Sequence, residues 1–95
     1  MVIFRILDYV ENYSTYDDGN VIFELIAPRI NSGEDVALSF EGIPAISSSF
    51  VNAAIVRLVE VVSLTEIRQH LMLVNSTRQI NELVRKRIDH LSAPN

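Results

Sequence analysis

The sequence predicts a small α/β domain with a mainly parallel sheet, in which strands and helices alternate in the order βαβαβα. Three short apolar segments (2–10, 35–40 and 70–74) alternate with helical stretches that Ser or Thr residues introduce. Alternation of this kind is typical of parallel sheets with right-handed crossovers. The 95 residues have room for one hydrophobic core. We therefore expect a single domain over residues 1–95, of which 92–95 form a short tail.

The composition excludes several classes of protein. Hydrophobic residues make up 48% of the chain and charged residues 21%, and Cys and Trp are absent. This apolar content is too high for a disordered chain. The longest apolar runs have four residues, against the roughly 18 that a membrane span needs. The first residues do not resemble a secretion signal. Without Cys no disulfide or thiolate site forms, and we expect a cytoplasmic location.

The net charge of −4 is unevenly distributed along the chain. Residues 1–47 contain eight acidic and two basic residues, which gives −6, whereas residues 48–95 contain four acidic and six basic residues, which gives +2. An acidic protein is a poor candidate for non-specific nucleic-acid binding. The one basic run, at 85–87, lies where a predicted helix ends, and cations there complement the helix dipole. We therefore do not expect a nucleic-acid partner.

The first half of the chain predicts a strand, a helix and a second strand. Residues 2–10 are apolar on both faces of a strand, which predicts a sheet covered on both sides and hence three layers. Thr15 to Asp18 has the form of a capping box, so a helix should begin near Tyr16. Pro28 should loosen this helix, which should end by residues 31–33.

The predicted second strand, 35–40, is followed by a turn and a second helix. Apolar and small residues alternate along the strand, and 41–44 has the composition of a turn. Ser47 to Ser49 offer N-cap residues for a helix over 50–62. Only three residues of that stretch are polar, and they fall within one arc of a helix: Asn52, Arg57 and Glu60.

The last third of the chain predicts a short helical turn, a third strand and a third helix. The capping pattern at 63–66 predicts one turn, and the apolar run at 70–74 suits a buried parallel strand. Residues 76–79 form a capping box before the most regular amphipathic stretch of the sequence. A fourth strand near 11–14 remains an open alternative.

The residues that usually carry catalysis are sparse. The two histidines are separated: His70 opens the predicted third strand, and His90 lies in the last helical turn, where it complements the dipole. Asp17 and Asp18 suit a helix N-terminus better than a cation site. The three glycines are isolated, so no phosphate-binding loop is predicted: Gly19, Gly33 and Gly42. We expect no enzymatic activity, no metal and no cofactor.

The serine-rich turn at 47–49 is the most informative polar feature. A loop of small polar residues that enters a helix exposes unpaired backbone donors, which suit an anion, a partner carboxylate or a phosphorylated side chain. The alternative is that one serine caps the helix and the other two have no special role. The residues alone leave both interpretations open.

Five segments carry a resemblance to a known family. They are Ser14 to Gly19, Val36 to Ile43, Ile46 to Ala54, Leu64 to Arg68 and Leu71 to Asn75. Together they resemble the STAS fold of anti-sigma-factor antagonists. The resemblance is stronger to the STAS-like domain family of unknown function, found in bacteria and their mobile elements. It covers nearly the whole chain and implies a STAS-like α/β fold.

The resemblance also implies a site and a partner. Phosphorylatable antagonists carry the motif Asp-Ser-Ser/Thr-Gly, in which a partner ATPase-kinase phosphorylates the first Ser. In this chain Ser47 stands at the Asp position, Ser48 at the phosphorylated position, Ser49 next and Phe50 at the Gly position. Ser48 is thus the candidate phosphorylation site, although the Asp and the Gly of the motif are both missing.

The resulting hypothesis is a non-enzymatic regulatory module that docks a protein partner, plausibly a histidine-kinase-like ATPase. The predicted docking residues lie in the serine turn and the second helix: Ser47, Ser48, Ser49, Asn52, Ala53, Val56 and Arg57. The alternative is a dimerising structural subunit, or an inhibitor in a phage, mobile-element or defence complex, because a small sheet leaves edges open for pairing.

Overall fold

The chain folds as a small α/β domain with one parallel sheet of three strands and four helices, which confirms the predicted fold class. The computed structural model describes residues 1–92. Ser92, the first residue of the predicted tail 92–95, still belongs to the last helix, and 93–95 lie outside the described residues. The strands are β1 (Val2–Arg5), β2 (Val36–Ser39) and β3 (Leu71–Val74). The helices are α1 (Tyr16–Asn31), α2 (Ser48–Ala54), α3 (Leu64–His70) and α4 (Arg78–Ser92), with 3-10 segments at Ile6–Asp8 and Val56–Glu60.

The sheet has the strand order β1-β2-β3, and its helices lie on one face. Phe4, Leu38 and Leu73 are paired across the three strands and therefore point to the same side. On that side the guanidinium of Arg29 in α1 lies 5.5 Å from the centre of the Phe4 ring. The groove between α3 and α4 is lined by Leu73 on the same side. The helical layer therefore covers this face.

The opposite face of the sheet is open, so the prediction of a first strand covered on both sides, within three layers, is wrong. Ile3 is 62% exposed and Met72 41% exposed, and both share a row with Ala37. The physical reason is the strand order. Consecutive parallel strands that always add on the same side, through right-handed crossovers, place every connection on one face. No strand near residues 11–14 joins the sheet within the described chain.

Helix α1 begins and ends where the sequence predicts. The Thr15 side chain accepts a hydrogen bond from the Asp18 backbone N–H at 3.1 Å, and its hydroxyl donates to the Asp18 carboxylate at 2.7 Å. The helix continues through Pro28 for one more turn to Asn31. Gly33 then adopts a φ of +89°, a left-handed conformation that glycine adopts without a Cβ penalty.

The predicted helix over 50–62 is two segments. α2 ends at Ala54, and a 3-10 segment of five residues follows from Val56 to Glu60. Ile55 between them has a φ of −116°, which is outside helical values. β-branched residues are frequent in this stretch, and they disfavour the helix because they lose side-chain freedom against the preceding turn.

The connection into β3 also differs from the prediction. The capping pattern at Ser63 opens a helix of seven residues, α3, rather than a single turn, and the Ser63 side chain accepts from the Glu66 N–H at 3.2 Å. His70 is the last residue of α3 and does not open the strand, which begins at Leu71. Within residues 1–92, no helix has the length and apolar character needed to cross a membrane.

α1 and α2 meet at an unusually short distance. A Cβ placed on Gly19 would lie 2.5 Å from the Phe50 carbonyl oxygen and 2.8 Å from the Ala53 Cβ. Only hydrogen at position 19 allows the two backbones to approach this closely. The close contact buries Phe50, Ala53 and Ala54 completely, so it fixes how α2 sits on α1.

Gly19→Ala should therefore destabilise the fold, although alanine favours a helix over glycine by about 1 kcal/mol. The added methyl group meets backbone atoms, so α1 and α2 must separate, and we expect a loss of about 1–3 kcal/mol in urea unfolding. The control is Val21→Ala, at an exposed position of α1, which should change stability by less than about 0.5 kcal/mol. A more stable Gly19→Ala protein would contradict the short helix-to-helix distance.

Candidate functional site: the serine turn and α2

The predicted site lies at the carboxyl edge of the sheet. In parallel sheets this is the edge where strands end, helices begin and binding sites are usually found. The serine turn, Ser47–Ser49, follows the β2 end of this edge and opens α2. α1 and α4 begin after the carboxyl ends of β1 and β3, and both supply contacts that hold the turn.

Ser47 is the residue that caps α2. Its side-chain oxygen accepts a hydrogen bond from the Phe50 N–H at 3.2 Å, and its hydroxyl donates to the Ser14 carbonyl oxygen at 2.6 Å. The cap satisfies one of the free donors at the helix start. The second bond ties the turn to the segment before α1. The capping interpretation of the serine turn therefore holds for Ser47. Its hydroxyl both donates and accepts a hydrogen bond within the domain.

The first residues of α4 clamp the loop that leads to the turn. The Ile46 N–H donates to the Gln79 side-chain oxygen at 3.2 Å, and the Gln79 amide nitrogen donates back to the Ile46 carbonyl oxygen at 3.3 Å. Thr77 donates through its hydroxyl to the Pro44 carbonyl oxygen at 2.9 Å. Two backbone groups of one residue thus pair with one side chain, which fixes the loop in position and orientation.

The sequence does not predict this clamp. The predicted capping box assigns Gln79 a role at the start of its own helix, whereas the Thr77 side chain caps α4 by accepting from the Ile80 N–H at 3.3 Å. Gln79 and Ile46 are 33 positions apart. No local pattern in a single sequence signals a pairing at that separation.

A buried serine lies where the loop after β2 begins. Ser39, at the end of β2, is 4% exposed. Its hydroxyl oxygen accepts from the Asn75 side chain at 3.0 Å and from the Glu41 N–H at 3.4 Å. Asn75 has a φ of +52°, a left-handed conformation that asparagine tolerates better than most residues. This bond joins the ends of β2 and β3 below the serine turn.

Arg5, at the end of β1, holds the other side of the same loop. Its guanidinium donates to Asp8 at 2.9 Å and to Glu41 at 3.2 Å. The hydrogen bond to Asp8, together with the nearby charge of Glu41, raises the pKa of Arg5 above its already high ordinary value. Arg5 therefore carries its positive charge at neutral pH. The last residues of β1 and β2, Arg5 and Ser39, thus both contact the loop that follows β2.

Gln79→Met should weaken the clamp without removing side-chain volume. The variant leaves the Ile46 N–H without its acceptor, and an unpaired amide costs about 1–3 kcal/mol. Urea unfolding should show a loss in this range, and hydrogen exchange at the Ile46 amide should become faster.

Gln69→Met is the matched control for this experiment, because Gln69 is exposed on α3. It should change stability by less than about 0.5 kcal/mol. Equal effects of the two substitutions, or unchanged exchange at Ile46, would contradict the assigned role of Gln79.

The exposed side of α2 carries some of the predicted docking residues. Ser49 is exposed, and Ser48, Asn52 and Val56 are partly exposed. Ser49, Asn52 and Val56 follow one another at spacings of three and four, so they form one stripe on the outside of the helix and the 3-10 turn. This stripe, with Ser48 beside it, is the exposed outer surface of the serine turn and α2.

Ala53 does not belong to this surface. It is 0% exposed and contacts the α1 backbone at Gly19, so the prediction that places it among the docking residues is wrong in this respect. The reason is the width of the buried arc. Because α2 packs against both α1 and α4, small residues at the margin of its polar arc are covered as well.

Arg57 mainly makes contacts within the domain. Its guanidinium lies 4.2 Å from the centre of the Phe23 ring and hydrogen bonds to the Asn20 side chain. The Glu60 carboxylate is 3.9 Å away. A cation over an aromatic ring is stabilised by the ring quadrupole. Arg57 therefore fastens the 3-10 segment to α1, with its side chain 30% exposed at the edge of the stripe.

The other polar residues that the sequence singles out lie elsewhere. The Nδ1 atom of His70 is 2.8 Å from the Asp35 carboxylate, at the amino edge of the sheet. His90 is exposed on α4, and Asp18 accepts the Thr15 hydroxyl at the start of α1. Among residues 1–92, no three His, Asp or Glu side chains are grouped to hold a metal ion. The polar groups of the serine turn itself are hydroxyl and amide groups.

A family model matches residues 18–81 of the chain, and its description is a STAS-like domain of unknown function (DUF4325). The matched segment runs from the first turn of α1 into the first turn of α4. It includes β2, the serine turn, α2, α3 and β3. No curated protein and no solved structure matches the chain.

Proposed function

The chain belongs to the family of STAS-like domains of unknown function, and we propose that it acts as a non-enzymatic regulatory module that docks a protein partner. The docking surface is the serine turn with the exposed stripe of α2. The partner is a histidine-kinase-like ATPase, as the resemblance to anti-sigma-factor antagonists implies. This proposal concerns the partner and the role, for which the family itself supplies no assignment.

One observation carries the proposal. The loop that leads into α2 is held in place by hydrogen bonds on its inner side, whereas the outer side of the serine turn is exposed. Three side chains hold the loop in place through hydrogen bonds that each span 33 positions of the sequence: Ser47, Thr77 and Gln79. The neighbouring Ser48 and Ser49 hydroxyls make no side-chain hydrogen bond to any residue in the described part of the chain. Rigid positioning lowers the entropic cost of binding, so a fixed turn with unused hydroxyls suits recognition.

Val56 gives the surface an apolar contact point. It is partly exposed beside polar Asn52, one helical turn further along the stripe. Interfaces combine an apolar centre with a polar rim, and a valine flanked by serine and asparagine side chains has that arrangement on a small scale. The surface contains no carboxylate, which leaves it compatible with an acidic or a neutral partner.

Ser48 is the proposed point of regulation. It occupies the position that corresponds to the phosphorylated serine of the antagonists, and it is the first residue of α2. A phosphate there would carry a charge of about −2 at neutral pH. It would be tolerated by the helix start but would repel an acidic partner surface. The Asp-to-Ser and Gly-to-Phe departures from the motif concern Ser47 and Phe50, which serve as the cap and as a core residue.

Val56→Glu and Ser48→Asp should each reduce capture of the partner. The assay is a pull-down of a purified histidine-kinase-like ATPase, with the full chain as bait. We expect a decrease of about tenfold for Val56→Glu, because a buried charge without a partner is costly at an interface. Ser48→Asp should weaken capture through the added negative charge.

Matched controls place the same changes away from the surface. Ile3→Glu introduces a charge at an exposed apolar position on the open face of the sheet, and Thr65→Asp introduces one in the first turn of α3. Both should leave capture unchanged, and circular dichroism should show that all four variants are folded. If Val56→Glu and Ser48→Asp capture as well as the parent chain, the proposed surface is wrong.

A second candidate function is a homodimeric structural subunit, and the open face of the sheet favours it. Parallel sheets are almost always covered on both faces, yet Ile3 and Met72 are largely exposed on one face. Light scattering should then give twice the 10.7 kDa chain mass, and Ile3→Glu should return the protein to a monomer. A monomeric parent chain would exclude this candidate.

A further inference from the structure

A second surface lies between α3, β3 and the second half of α4. Here the helical layer leaves a groove of about 480 Å³. Its apolar lining includes Leu71 and Leu73 of β3 and Val84 and Ile88 of α4. Val84 is buried, but the other three are only partly covered. The gap is therefore an apolar surface that the domain itself leaves incompletely covered.

The rim of this groove is cationic. Arg68 and Arg85 line it, and five of the eight basic residues of the chain lie on α3 and α4: Arg68, Arg78, Arg85, Lys86 and Arg87. Arg68 is 3.2 Å from the Asp89 carboxylate. Arg85 makes no ion pair within the described residues. The same helices contain three acidic residues, Glu66, Glu82 and Asp89, so five bases and three acids leave them a net charge of +2 in a chain of net charge −4.

We infer that this groove binds an acidic amphipathic helix of a protein partner. The apolar side of such a helix would cover Leu71, Leu73 and Ile88, and its carboxylates would reach the guanidinium of Arg85. A helix suits the geometry because the groove is a gap in a layer of helices packed on a sheet. From Asn81 to Ile88 the wall formed by α4 is about 10 Å long, which matches two turns of a partner helix.

Charge and lining together favour a protein partner over a nucleic acid. Phosphates would be attracted by the same arginines, but the floor of the groove is aliphatic. Single-stranded nucleic acids bind through aromatic side chains on which the bases stack, and no aromatic residue lines this groove. Burial of aliphatic surface stabilises a complex, and an amphipathic helix has an apolar face to bury here, whereas a phosphate backbone does not.

The groove is independent of the surface proposed for the ATPase. The docking stripe consists of residues of α2 and the following 3-10 segment, and none of them lines the groove. The domain would thus bring two partners together, or hold one partner at two points. Neither surface requires the other, so each is tested by its own variants.

The test is a fluorescence anisotropy titration of the full chain with three labelled probes. The first is a synthetic helix with leucines on one face and glutamates on its flanks. The second has lysines in place of those glutamates, and the third is a single-stranded oligonucleotide. We expect saturable binding of the glutamate helix alone, weakened by added salt because exposed charges are screened. Absence of binding of the glutamate helix, or tighter binding of the oligonucleotide, would overturn the inference.

Arg85→Glu and Lys86→Glu form a matched pair of variants. Both reverse one charge on the exposed side of α4, but only Arg85 lines the groove. Arg85→Glu should weaken binding of the glutamate helix about tenfold, whereas Lys86→Glu should change it by about twofold at most. Equal effects would show attraction by overall charge alone and would overturn the assigned groove. Val56→Glu should leave this binding unchanged, which separates the result from the fate of the proposed ATPase surface.

Discussion

The rest of the structure depends on the contact between α1 and α2 at Gly19. At this point the backbone of α2 lies where any larger residue would place its Cβ. The contact sets the position of α2 within the helical layer. It therefore also sets the direction in which the chain runs from the serine turn into α2. It also explains why a helix of only seven residues is well defined, since short helices in water are marginal and depend on packing. The polar surface of α2 is therefore a consequence of a glycine on another element.

A second constraint acts on the loop before α2. Four hydrogen bonds hold it: one from Ser47 to the segment before α1, and three that Thr77 and Gln79 make from the start of α4. The two bonds of Gln79 to Ile46 satisfy both backbone groups of one loop residue. Loops of this kind lose little entropy on binding because they are ordered beforehand. The same bonds explain why the turn is part of the rigid domain rather than a separate mobile segment.

Much of the fold could be predicted from local patterns. The N-caps at Thr15, Ser47 and Ser63 follow from the residues around them, because a cap involves groups only two or three positions apart. The presence of three strands and their parallel order follow from apolar runs between helical stretches, although the first strand ends at Arg5 and the rest of its predicted range, 6–10, is not strand. These features are encoded within windows of a few residues, and a single sequence displays them directly.

Other features depend on contacts between distant residues and could not be predicted in this way. The open face of the sheet is an example. Ile3 is apolar and suggests a covered strand, but its exposure follows from the order in which strands were added to the sheet. Ala53 is covered because Gly19 lies against it, 34 positions away. The break at Ile55 reflects a competition between helix period and β-branched side chains, which a count of apolar residues does not resolve.

The distribution of charge on the surface depends on both the sequence and the fold. The chain is acidic in its first half and mildly basic in its second, and a linear sequence does not say whether these halves mix in space. In the fold they do not mix completely, because α3 and α4 contain most of the basic residues and lie together at one end of the strand order. The groove between them combines this positive charge with uncovered aliphatic side chains. The charge difference between the two halves of the sequence thus appears, after folding, as positive charge on one surface, the groove between α3 and α4.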